Sequence, residues 1–185
     1  MLNTVIEETK EKMSKSLEHY KSELKGIRTG RASVAMFEGI KVDYYGTPTP
    51  INQVGTLSAP EPRLITIQPW EPSLIPAIEK AIMSSNLGFN PSNDGVMIRV
   101  PIPQLTEERR KEIVKLIKKM AEDAKVVIRN IRRDANETIK QLEKDKEISE
   151  DDAKKGTVKV QELTDEFIKK VDEVTALKEK DVMEI

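Results

Sequence analysis

No cysteine occurs in the chain, which excludes a disulfide framework and thiolate chemistry. There is a single histidine, His19, set among Lys and Glu. It reads as an exposed helical residue, and with no cysteine or second histidine a zinc site has no ligands. No Gly-x-x-x-x-Gly-Lys-Ser/Thr loop is present, so nucleotide binding by that route is excluded. Adjacent carboxylates such as Glu107/Glu108 and Asp151/Asp152 fit the starts of helices better than acid–base machinery. No catalytic residue, metal, cofactor or small-molecule substrate is therefore expected. No apolar run approaches the roughly 18 residues that span a bilayer, and Met1–Glu8 lacks the basic and apolar blocks of a signal peptide. The expectation is a soluble cytoplasmic protein with no membrane contact.

Proline and glycine are scarce outside one stretch. All ten prolines fall between Pro48 and Pro103, and six of the eight glycines lie in residues 30–104. Charged residues are 11 of 75 there against 52 of 110 elsewhere. This shift predicts an inserted domain over 30–104 and a discontinuous one from 1–29 and 105–185. Within the insert, strands are expected over 40–45, 53–57, 64–68 and 96–100, with a turn at Gly46-Thr47-Pro48 and a hairpin signal at Asn93-Asp94-Gly95. A short helix over 72–85 completes a small mixed α+β module, with Pro76 in a first turn or at a kink.

The flanking sequence is helical in period. Ile6, Met13, Leu17, Tyr20, Leu24 and Ile27 predict a helix over 3–28 ending at Thr29-Gly30. Over 106–146 no proline or glycine intervenes, and Ile113, Ile117, Met120, Ala124, Val127, Ile131, Ala135, Thr138 and Leu142 form a seam about 60 Å long. Thr106 is the expected cap. Ser149 caps a third helix, whose seam includes Val160, Leu163, Phe167, Val171, Val174 and Leu177. Gly156 there carries the usual helical glycine penalty of about 1 kcal/mol. The fold class is thus α+β, a long antiparallel three-helix bundle interrupted by the insert. Helix one is expected to start opposite about the 25th residue of helix two.

A net charge of −1 argues against a general polyanion binder, but charge is unevenly placed. Residues 106–146 carry 13 Lys/Arg against 9 Asp/Glu, and residues 147–185 carry 7 against 12. Lys125, Arg129, Arg132, Arg133, Asn136 and Lys140 share one arc of about 100° on the helical projection, well away from the predicted seam. A solvated face explains most such stripes. Three arginines within five residues, in a chain where 22 of 31 cations are lysine, point instead to an anion-gripping surface. Trp70, Tyr44 and Tyr45 fit either a stacking surface for bases or, more simply, core and edge packing.

Several segments resemble one family. Gly26-Ile27-Arg28-Thr29-Gly30-Arg31-Ala32-Ser33, Tyr45-Gly46-Thr47-Pro48, Ala59-Pro60-Glu61-Pro62-Arg63, Asn93-Asp94-Gly95, Leu105-Thr106-Glu107-Glu108-Arg109-Arg110 and Ile128-Arg129-Asn130-Ile131-Arg132-Arg133-Asp134-Ala135-Asn136 are similar, in order, to hallmark segments of bacterial ribosome recycling factors. Trp70 is a small departure, inside the insert. The resemblance implies an L-shaped monomer whose bundle binds large-subunit ribosomal RNA after termination. With elongation factor G and its GTP hydrolysis, such a factor splits the ribosome so that mRNA and tRNA leave. It places the family's essential arginine at Arg132, with Arg129 as a fellow rRNA contact; Arg133, Lys125 and Asn136 join by helical proximity. Arg28 and Arg31 either contact rRNA or brace a hinge formed by Thr29, Gly30 and Arg31 with Pro101, Ile102, Pro103, Gln104 and Leu105. The rival readings are a coiled-coil scaffold or holdase without RNA contact, and an enzyme with its site in the insert. Binding to purified large subunits separates them.

Overall fold

The structure, a computed structural model, describes residues 1–85 and 87–184. It divides into two compact units, one made of Met1–Arg28 with Glu107–Glu184 and the other of Thr29–Thr106. The first helix, α1, spans Leu2–Lys25 and buries Thr9, Met13, Leu17, Tyr20 and Leu24. It ends sooner than the expected Thr29-Gly30. Gly26 is the C-cap with right-handed backbone angles (φ −73°), its N–H turned back to Glu23 and Leu24 carbonyls. A glycine at this position weakens propagation enough to stop the helix there.

In the second unit β1 (Lys41–Tyr44) and β2 (Thr47–Pro50) form an antiparallel ribbon. The predicted turn at Gly46-Thr47-Pro48 is displaced, because Tyr44 pairs directly with Thr47. Pro48 and Pro50 are tolerated in a two-stranded ribbon, where an outward N–H is dispensable. A second sheet has the order β3-β4-β6-β5, all antiparallel. Its strands are β3 (Gly55–Glu61), β4 (Leu64–Pro69), β5 (Ser92–Asn93) and β6 (Ile98–Pro101). β3 starts later than predicted because Ile51–Gln53 coil into a 3-10 turn. β6 starts later because Asp94 Oδ1 accepts from the Val96 and Met97 N–H groups and holds that segment in a turn. Helix α2 (Ile75–Met83) follows a 3-10 turn at Pro72–Leu74, with Pro76 in its first turn. Val42, Ile65, Ile67, Ile78, Ile82, Ile98 and Val100 form the core between helix and strands.

The first unit is completed by α3 (Glu107–Lys144) and α4 (Glu150–Met183). Ser149 Oγ accepts from the Asp152 N–H at 3.0 Å, capping α4. α3 buries Ile113, Ile117, Ala121, Ile128, Ala135 and Ile139. Val127 and Thr138, expected in its seam, are exposed, so the buried stripe is rotated about 50° from the predicted one, toward the arginine arc. In α4, Thr164 and Thr175 take the buried places expected of Leu163 and Val174, while Leu177 is exposed. Their hydroxyls donate to the Val160 and Val171 carbonyls, which satisfies them inside the bundle. Gly156 serves close packing. A Cβ there would lie 2.7 Å from Leu2 Cδ1 and 3.2 Å from Ile139 Cδ1. The start of α1 thus meets α3 near Ile139, about two turns beyond the expected position. Among the described residues no helix is long and apolar enough to cross a membrane.

Candidate nucleic-acid interface

On α3, Arg133 is exposed, and Arg129 and Arg132 are half-buried at the edge of the stripe that packs on α1 and α4. The rotation of that stripe toward the arc explains the difference. Half-burial of Arg129 and Arg132 is what a long side chain shows when its stem covers apolar surface and its charged head stays in water. Among the described residues none of these three arginines is within ion-pair distance of a carboxylate. Many other cations on the bundle are paired, including Lys15 with Glu11, Lys111 with Glu107, Lys154 with Glu150 and Lys170 with Glu166. A planar five-donor fork left unneutralised on one face is suited to phosphate oxygens.

The remaining members of the arc behave differently. Lys125 Nζ lies 2.6 Å from Asp172 Oδ1 on α4 and 3.6 Å from Glu122 Oε1. The Asp172 hydrogen bond, more than burial opposes it, holds the Lys125 ammonium above its usual range. Asn136 is half-buried, and its Oδ1 is covered without a hydrogen-bond partner among the described residues. It lines an open groove of about 670 Å³ between α3 and α4, with Ile139, Lys140, Ala153 and Lys154. Arg110 is not among the expected site residues, and its Nε and Nη2 are buried without a hydrogen-bond partner among the described residues. Its only sequence signal is its place in the Leu105–Arg110 segment. Arg28 is exposed at the end of the first unit's opening segment, and Arg31 is exposed in the second unit.

The expected hinge residues are anchored within the second unit. Pro101 ends β6, and Ile102 is buried with its N–H donated to the Arg63 carbonyl at 2.8 Å. Gln104 Oε1 accepts from Arg63 Nη1 at 2.9 Å. Gly30 has φ +84°, and a Cβ there would come 2.9 Å from Leu105 Cγ. Elsewhere in that unit Trp70 and Tyr45 are 65% and 76% exposed, so the packing expectation fails for both. Tyr45 and Tyr44 meet edge to face and donate to the two oxygens of Glu71. Trp70 flanks a cleft of about 540 Å³ floored by Phe37, Ile40 and Ile51.

The profile of the family described as ribosome recycling factor matches residues 20–183. The ribosome-recycling factor of Desulfatibacillum aliphaticivorans is 59% identical over 184 residues, covering both chains in full. That of Myxococcus xanthus is 56% identical over 185 residues, again covering both in full. Among solved structures, the solution structure of a ribosome recycling factor superposes with a TM-score of 0.73 at 46% identity, covering 100% of this chain and 98% of that one. A second is the T. thermophilus ribosome recycling factor bound, with the E. coli elongation factor G, to the E. coli post-termination complex. It superposes with a TM-score of 0.62 at 45% identity, covering 99% of each chain.

Proposed function

This chain belongs to the ribosome recycling factor family, and on that footing we propose that it works in the cytoplasm through the α3 face carrying Arg129, Arg132 and Arg133. The factor acts after translation termination on the large ribosomal subunit, and with elongation factor G it splits the ribosome into subunits. It is not an enzyme; GTP hydrolysis belongs to elongation factor G. The observation that carries the reading of the face is the absence of carboxylate partners for the three arginines among the described residues. Phosphate contacts from such forks position a protein on RNA, and helix shape supplies the selection. Asn136, facing the neighbouring groove, adds a polar contact at the same interface, while Arg28 and Arg31 remain candidates for rRNA contact or for bracing the joint.

A ligand shifts the joined–split equilibrium only by the difference in its affinity for the two states. The docked bundle must therefore be incompatible with an intact intersubunit contact. Because Pro101–Leu105 is fastened to the second unit, the pivot is proposed at the bonds Arg28–Thr29 and Thr106–Glu107. The test is Arg132→Ala in a splitting assay with elongation factor G and GTP. Splitting is expected to fail while the variant still melts well above the assay temperature, since truncating one half-buried arginine stem costs only part of a side chain's packing. Normal splitting would refute the assignment.

A further inference from the structure

Lys125 stands apart from the cations around it. Its side chain is 16% exposed and bound to Asp172 at 2.6 Å, joining α3 to α4. Asp172 lies one turn before Thr175, whose hydroxyl donates to the Val171 carbonyl at 2.7 Å. That hydroxyl's oxygen is therefore left to accept from the buried Tyr20 phenol, joining α4 to α1. Burial pushes the Tyr20 phenol up, and the charges of Lys125 and Asp172 both act on it, so the two links lie close together in the bundle. Next to Lys125 the inward stripe of α3 carries two small residues, Ala121 buried and Ala124 half-buried. Above and below, α3 is held by isoleucines such as Ile117 and Ile128. Aliphatic contacts are non-directional, whereas polar contacts of fixed geometry, here Tyr20–Thr175 inside the seam and Lys125–Asp172 at its edge with Asp172 57% exposed, specify register.

We propose that the Lys125–Asp172 and Tyr20–Thr175 links form a keying layer that sets the rotation of α3, and that Lys125 is a positioning residue for the rRNA interface rather than a phosphate ligand. To reach a phosphate, Lys125 would have to abandon Asp172 and leave that carboxylate unpaired beside the RNA. Held in place, it keeps Arg129, Arg132 and Arg133 turned outward; a helix that turns by one residue moves them by about 100°. The inference rests on the reading of those arginines as the rRNA contact.

The experiment measures affinity for purified large subunits across a salt series. The variants are Lys125→Gln, Asp172→Asn, the exchange Lys125→Asp with Asp172→Lys, and Arg132→Ala, each checked for melting well above the assay temperature. Lys125→Gln and Asp172→Asn are both expected to weaken binding about ten-fold with the wild-type salt slope, and the exchange to recover most of the loss. Lys125→Arg, which keeps the pair, should bind as the wild type does and supplies the rescue if the exchange does not fold. Asp172→Asn removes a negative charge near a polyanion, so a direct role for Lys125 predicts unchanged or tighter binding there. That result, or a slope reduced by about 0.7–0.9 in Lys125→Gln, overturns the proposal. Wild-type affinity in Arg132→Ala overturns the reading of the arginine face itself, and the keying role falls with it.

Discussion

A side chain's role in this bundle follows from what neutralises it. Lys125 and Arg129 are one turn apart on α3, yet one is tied to Asp172 and the other has no carboxylate partner among the described residues. Their spacing alone could not separate them, because the carboxylate that does so comes from another helix. Tyr20 is likewise read from sequence as a seam residue, and it is one, but its hydroxyl partner Thr175 was hidden behind the expectation of Val174 at that level. Tyr20→Phe removes one buried donor while Thr175 keeps its bond to Val171. The expected loss is about 1 kcal/mol, measured by urea denaturation; a loss near zero would mean that the phenol–hydroxyl contact is not formed. Asp94 gives a pH-dependent counterpart in the second unit. Backbone N–H bonds from Met97, and then Val96, hold its carboxyl below the usual range. A depressed folded value means that the turn's stabilisation is present above the unfolded value of about 3.9. It is lost as pH falls through the lower folded one. The Val96 and Met97 amide resonances should shift over that acid window and stay flat in Asp94→Ala.

At the scale of elements, start signals were more legible than seams. Ser149 followed by Asp152 announced the α4 cap, and the structure has that hydrogen bond. Ser149→Ala should cost about 1 kcal/mol, read as a lower melting temperature, and Ser149→Asp should largely restore it. The expected α3 seam runs through Val127 and Thr138, which the helix leaves at the surface. Periodicity reports where apolar residues recur, not which of two adjacent stripes meets a partner. Threonines at 164 and 175 escaped for the complementary reason: a hydroxyl bonded to its own helix backbone is buried like an aliphatic group. In the insert, proline density suggested turns where β2 uses two prolines in a strand.

For the whole molecule, the composition shift places an insert over 30–104, and the chain divides into two compact units at Arg28/Thr29 and Thr106/Glu107. The pivot is proposed at those two borders. Gly30→Pro is incompatible with φ +84°, since proline fixes φ near −65°. It is expected to impair splitting more than docking, whereas equal losses would count against a jointed mechanism. The central proposal is narrower: that Arg129, Arg132 and Arg133 of α3, which have no carboxylate partner among the described residues, grip ribosomal phosphate. Its most direct measurement is the salt dependence of large-subunit binding for the wild-type chain and for Arg129→Ala/Arg132→Ala/Arg133→Ala. On the scaling known for nucleic acids, the account predicts weaker binding and a log–log slope smaller by about two units. An unchanged slope and affinity in the triple variant would contradict it.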